Sequence, residues 1–425
     1  MSEKRHMSKP LIKQVDPGIM PEPSFLFLKN RIPVYLTDSG TEDIERIEFS
    51  FDAGNIHDSR PLLASTTNLM LIEGTEKYKS TLLNRLLDTW SAFFHPYVER
   101  DRAGFVIYFL NKHLEKVLDI AGEILFHPVF PDSELKLLMK KRYRKFLIEK
   151  DKVYRLAADQ FFESIFGNQH PYGRQTLPVD FRVMDRELLR DFHALYYRPE
   201  RMAIFVSGKI HKDILLLLNK YFGEIPIQPA KAIEFPGLPA AQNKRVLHIE
   251  KKDALQSAIR IGSPSINKRH EDYYGLKVLN VILGGYFGSR LMKNIREEKG
   301  YTYGINSSVV SLNLSGFISI SSEVSNKFTR NAVDEIYKEI RRLQTEPVPE
   351  EELSVVRNFM LGEMVRMFDG PFAAAESFRS AWEFGLDNSY YTRFAARIRS
   401  IEPDEIKALA KKYYNIDDLY EITAG

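Results

Sequence analysis

The stretch LLRDFHALYYRPERMAIFVSG, residues 188–208, returns as EIKALAKKYYNIDDLYEITAG, residues 405–425. Laid one on the other, Tyr196 and Tyr197 meet Tyr413 and Tyr414, and Gly208 meets Gly425, at an offset of 217. Upstream, PDSEL at 131–135 recurs as PEEEL at 349–353 and Asp151 recurs as Asp369, both 218 residues on. A proline followed by acids reads as a helix N-terminus, because its fixed φ suits the first turn and carboxylates favour the positive end of the helix dipole. Val117, Ile120, Glu123 and Ile124 match Val333, Ile336, Glu339 and Ile340 at 216, which requires only a small insertion or deletion. A nearly constant offset held over roughly 90 residues marks a tandem duplication.

A chain of 425 residues exceeds one ordinary core, so the duplication divides it into two domains. Between the copies lies IPIQPAKAIEFPGLPAAQN, residues 225–243, whose four prolines and one glycine predict an extended linker. The first domain is then 1–224 and the second 244–425. Each unit offers strand-like runs, RIEFSFDAG and AGFVIYFLN in the first, SAIRIGSPS and GFISISSEV in the second, separated by amphipathic helical stretches. SAFFHPYVERDRAGFVIYFLN places two strands in succession with no helix between, which demands antiparallel pairing. The fold class predicted is α+β: two tandem homologous domains, each a mainly antiparallel sheet packed with helices.

Lys plus Arg number 60 and Asp plus Glu 57, so the net charge of +3 argues against a phosphate-covered partner such as nucleic acid. There is no cysteine, which leaves any metal to histidines and carboxylates. The N-terminus MSEKRHMSKPLIKQVDPG has charge but no apolar run behind it, so a cytoplasmic location is expected. FVIYFL and ILLLL are too short to span a bilayer, and no membrane association is expected.

Ten histidines invite a search for metal spacing, but the closest pair, His113 and His127, is 14 residues apart. No helix can set two of them on adjacent turns, and each reads as a structural or surface histidine. LGGYFGSR, residues 283–290, crowds its glycines yet follows a helical pattern and lacks the Lys-Ser/Thr pair, so it reads as a helix-ending turn and not a phosphate loop. IREEKGYTYG, residues 295–304, reads as a charged helix end, a stop at Gly300 and a strand start. By composition alone Arg296 is a solvated helix arginine and Tyr303 a half-buried strand tyrosine. His170-Pro171-Tyr172-Gly173-Arg174 reads as a loop with no chemistry implied.

VILGGYFGSRLMKNIREEKGYTYGINSS, residues 281–308, resembles the second-domain signature of the insulinase/pitrilysin-type zinc peptidases. IEGTEKYKS, HPYGR and FHALYYRPERMAIFVSG follow in that family's order, and the likeness covers roughly residues 30–425. The resemblance implies an inverted zinc motif, H-x-x-E-H, on a helix just before Glu73-Gly74-Thr75. Counting back, the two histidine positions hold Ser65 and Leu69, and the glutamate position holds Asn68. The third ligand, a glutamate in the family, would fall on Lys145. Imidazoles at i and i+4 would share a helix face for zinc and the glutamate would take a proton from water; Ser, Leu and Asn do neither. By contrast Arg296 and Tyr303 match the family's Arg/Tyr pair at its spacing of seven.

The resemblance therefore implies a chain without a metal of its own, one half of a clamshell, paired with a zinc-bearing homologous subunit that supplies the cofactor. Arg296 and Tyr303 would bind the backbone of a peptide or unfolded polypeptide and stabilise its carbonyl oxygen in the complex. The rival expectation is a non-enzymatic peptide-binding or assembly scaffold. A third is zinc held by relocated ligands, and a homodimer is left open.

Overall fold

RIEFSF falls within strand β3 (Ile44–Phe51), whose every residue from Glu45 onward is buried. A strand covered on both faces belongs in the middle of its sheet, and β3 lies between β5 (Ala103–Leu110) and β6 (Met202–Gly208), antiparallel to both. The computed structural model describes residues 15–228, 235 and 245–425. Most of the expected linker, 229–234 and 236–243, lies outside the described residues, as do residues 1–14, on which the expectation about a leader segment rests.

The first sheet has the order β1-β2-β6-β3-β5-β4, with β1 Ser24–Phe27, β2 Pro33–Asp38 and β4 Phe93–Val98. The helices in this half of the chain are α1 (Leu63–Met70), α2 (Ser80–Thr89), α3 (Leu114–Phe126), α4 (Asp132–Glu149), α5 (Val153–Phe166), α6 (Arg186–Tyr196) and α7 (Ile214–Tyr221). The second sheet has the order β7-β11-β8-β10-β9, with β7 Val246–Ile249, β8 Gln256–Ser265, β9 Thr302–Ser311, β10 Gly316–Ser325 and β11 Tyr420–Ala424. Around it run α8 (Tyr273–Asn280), α9 (Thr329–Thr345), α10 (Glu350–Met367), α11 (Gly370–Trp382), α12 (Ser389–Ser400) and α13 (Pro403–Tyr413).

Set β1 aside and the two orders are the same: each sheet closes its chain with a central strand that runs antiparallel to one neighbour and parallel to the other. β6 pairs parallel with β2, and β11 pairs parallel with β7. Every other pairing is antiparallel, including β4 with β5 as the strand succession required.

The halves are joined through exchanged helices. α5 of the first half packs on β8 and β11 of the second, and α11 of the second packs on β6 and β2 of the first. Phe161, Ile165 and Phe166 thus share a core with Phe317, Tyr420 and Ile422. On the other side Trp382 donates its indole N–H to the Tyr35 hydroxyl at 2.6 Å and packs edge-on against Phe205. Polar groups sit in this seam as well. Arg379 pairs with Glu48 at 3.1 Å, with Glu99 at 3.3 Å and with Glu383, while Arg46 pairs with Glu48 at 2.7 Å. The side chain of Glu48 is 1 % exposed, so its charge depends on both arginines.

The HPYGR loop, expected to be plain, is part of the same seam. The Tyr172 hydroxyl bonds Asp101, whose other oxygen accepts the backbone N–H of Asn313 from the second half at 2.9 Å. Arg379→Met should destabilise the chain by up to about 3 kcal/mol by stranding Glu48 with a single cation. In urea unfolding, adding Glu48→Gln to Arg379→Met should recover part of that loss.

Candidate functional site

The helix α1 carries the STTNL stretch and begins without a side-chain cap of its own, after Leu62 in the left-handed region at φ 76°. Its free first-turn donor is met from outside: Asp58 accepts the Ala64 N–H at 2.6 Å. Asp58 is buried, and loss of solvent pushes its carboxyl from the ordinary 3.8 up to about 7 against the pull of the Ala64 N–H, Arg174 and Arg142. Arg174 in turn donates to the Asp58 and Ser59 carbonyls at 2.5 and 3.1 Å.

Arg142, on α4, reaches across to α1. One of its terminal nitrogens donates to the Ser65 hydroxyl and the other to that of Thr66, both at 2.8 Å. Burial lowers its affinity for its proton and the Asp58 charge raises it. Lys145, the position that the family spacing reaches, is exposed, and the Ser65 hydroxyl is bound by Arg142. Three residues earlier on α4, residue 142 shares the inward stripe of Leu135 and Met139, and residue 145 is rotated off it.

Asn68 is 1 % exposed and points away from this pair. Its amide donates to the Tyr197 hydroxyl at 2.9 Å and to the Gly104 carbonyl at 3.0 Å. The second half repeats the arrangement, since Asn280 on α8 accepts from the hydroxyl of Tyr414 at 3.2 Å and from that of Ser307 at 2.7 Å. Tyr197 and Tyr414 are the same pair that reveals the duplication in the sequence. Ser65, Asn68, Leu69 and Lys145 thus include no imidazole or carboxylate, and a guanidinium packed on Ser65 opposes a second cation there. Among the described residues, no cluster of three or more His, Asp or Glu is arranged to hold a metal.

The other half of the expectation lies at the edge of the second sheet. Residues 281–285 and 292–298 are both π-helical, and Gly300, at φ 63°, turns the chain from the second of them into β9. Arg296 lies with its guanidinium over the Phe287 ring at 4.6 Å. Tyr303, on the edge strand β9, is 94 % exposed and not half-buried as its composition suggests. A register shift between Ser322 and Val324 loosens the ladder opposite it, and the Thr302 hydroxyl, donating to the Glu323 carbonyl at 2.7 Å, pins the strand start.

Arg296 and Tyr303 together line a cleft of about 700 Å³. On its other side Tyr303 lines a second cleft, of about 450 Å³, with Arg260, Asn306, Glu323 and Tyr154 from the first half. The positions Ser65, Asn68, Leu69 and Lys145 line neither. One face can thus bind an extended, hydrogen-bonding ligand through a guanidinium and a phenol, while the other is knitted closed.

The family model described as insulinase, peptidase family M16, matches residues 34–177, and the model described as the peptidase M16 inactive domain matches residues 184–360. The chain belongs to peptidase family M16. An M16 relative in Bacillus subtilis, described as the uncharacterized zinc protease YmxG, is 24 % identical over 302 residues, 70 % of this chain and 72 % of the relative. A Helicobacter pylori relative, described as the non-peptidase homolog YmxG, is 22 % identical over 401 residues, 92 % of this chain and 90 % of the relative. An M16 inactive-domain crystal structure from Pseudomonas fluorescens superposes with a TM-score of 0.83 at 21 % identity, covering 95 % of this chain and 98 % of that one. The two-domain M16 architecture is therefore the fold of this chain. Among the described residues no helix is long and apolar enough to cross a membrane.

Sequence reasoning misses Arg142 and Asp58, and Asn68 could have been placed only by asking what Tyr197 and Tyr414 bond to. A carboxyl raised on folding favours the protonated state, so Asp58 contributes stability that is full below about pH 4 and lost as pH rises through about 7. Asp58→Asn keeps the acceptor for Ala64 and should flatten this fall, as unfolding midpoints in urea across that range would show.

Proposed function

We propose that this chain is the metal-free subunit of an M16 peptidase pair, lending Arg296 and Tyr303 to a peptide held against a zinc-bearing homologous subunit. One contrast carries the reading. The positions aligned with the zinc motif hold Ser65, Asn68 and Leu69, with Ser65 bound by Arg142 and Asn68 by Tyr197, whereas Arg296 and Tyr303 line a common cleft.

In this reading zinc and its water belong to the other subunit, which closes the second half of the clamshell and supplies the attacking group. What this chain supplies is orientation and charge. The Arg296 guanidinium, held over Phe287, presents fixed donors to peptide carbonyls, and the Tyr303 hydroxyl donates to the carbonyl oxygen as negative charge grows on it. The exposed start of β9 offers unpaired backbone groups to an extended substrate. A peptide or unfolded polypeptide in the cytoplasm is the substrate proposed. The scaffold reading, favoured by the description of the Helicobacter relative as a non-peptidase homolog, keeps the same cleft and omits cleavage.

Co-expression with a homologue that carries H-x-x-E-H tests the two. The pair should cleave peptides that neither chain cleaves alone, and metal analysis should find zinc only in the homologue. Tyr303→Phe should lower turnover of the pair by roughly 100-fold with unchanged thermal stability. Unchanged turnover would remove the role of Tyr303, and no cleavage by any mixture would leave the scaffold.

A further inference from the structure

The duplication supplies an internal control for every surface: what one half carries and the other lacks is not a requirement of the fold. The long helices α4 and α10 are equivalents, yet their charges are opposed. α10 begins with three glutamates, adds Glu363, and pairs its two arginines, Arg357 with Glu350 at 2.5 Å and Arg366 with Glu363 at 2.6 Å. From Lys136 to Lys145, α4 has six cations and no acid. Arg142 is turned inward, but Lys136, Lys140, Lys141, Arg144 and Lys145 are exposed and make no ion pair among the described residues. Like charges at i and i+4, such as Lys136–Lys140–Arg144 and Lys141–Lys145, weaken a helix, so this stripe persists against its own repulsion.

The same face is apolar where it is not basic. Leu137 is 63 % exposed on α4, and Val183 is exposed on the neighbouring loop. Between α4 and that loop runs a groove of about 370 Å³, floored by Leu135, Met139, Tyr143, Phe181 and Met184. Lys136, Lys140 and Arg182 stand at its rim. The two acids lining it, Asp132 and Asp185, lie at helix starts, and Asp185 is engaged in capping α6 through the Leu188 N–H at 2.9 Å.

We propose that this groove docks an acidic polypeptide segment carrying bulky apolar anchor side chains. The charge of the rim selects an acidic partner and speeds its approach, and the concave apolar floor holds the anchors. A groove of this size fits side chains, whereas a lipid surface would need a broad exposed apolar face and a single-stranded nucleic acid would need open aromatic rings to stack on, and Phe181 is buried. The site does not depend on Arg296 and Tyr303, neither of which lines it.

The probe is a fluorescein-labelled peptide of glutamates with leucine and phenylalanine at helical spacing, titrated with the full chain by fluorescence anisotropy. Binding should be saturable, weaken with salt, and fall about tenfold or more in the double variant K136E/K140E, whose circular dichroism should be unchanged and whose melting temperature should not fall. A peptide with its leucines and phenylalanines replaced by serine should lose binding to a similar degree. The proposal is overturned if the probe does not bind, or if K136E/K140E or the serine peptide binds as well as its parent. It is also overturned if phosphatidylserine–phosphatidylcholine vesicles or oligo-dT bind more tightly than the peptide. Cleavage of a short uncharged peptide by the co-expressed pair should be unaffected in K136E/K140E, which separates failure here from failure of the peptidase reading.

Discussion

A sheet with a central strand buried on both faces needs a layer on each side, and neither half of this chain provides both layers for itself. α5 covers the sheet of the second half and α11 covers that of the first. The helix that follows each long helix is therefore committed to the other domain, and one face of each sheet is covered only when the halves dock. The seam so made contains Glu48, Arg46 and Arg379, a charged group that is sound only when both halves are docked. The cleft beside Tyr303 inherits its geometry from this docking, since Tyr154 at the start of α5 forms one of its walls.

Much of the architecture is legible in the sequence because the repeat preserves what packing requires. The tyrosine pairs at 196–197 and 413–414, the proline-acid helix starts and the β-branched strands mark buried or capped positions whose chemistry the fold constrains. What the sequence does not reveal follows from geometry that no one-dimensional pattern encodes. Counting along a helix locates Lys145, but which side chain reaches α1 depends on the rotation of α4, and that selects Arg142. Tyr303 has a residue type common on half-buried strands, yet its strand lies at an edge, a property of strand order and not of local sequence. The exchange of α5 and α11 is a long-range choice for which local periodicity holds no signal, and so is the role of the HPYGR loop in the seam.

The candidate site divides along the same line. Family spacing singles out Arg296 and Tyr303, and the structure adds that they line one cleft, with the Phe287 ring under Arg296 and a pinned strand start beside Tyr303. At positions 65, 68 and 69 the sequence shows only which residues are absent. The structure shows what stands at two of them: at 65 a hydroxyl bound to a guanidinium, and at 68 an amide bound to a buried phenol.

The bond between Asn68 and Tyr197 has a further consequence for how such a chain can change over generations. Because Asn280 and Tyr414 make the counterpart contact, position 68 serves the tie between helix and C-terminal tyrosine that both halves use. A glutamate placed there would bury a carboxylate facing the Gly104 carbonyl, and a histidine at 65 would meet Arg142. Either step would lower stability before any activity appeared to select for it. The arrangement acts as a ratchet against placing an imidazole at 65 or a carboxylate at 68.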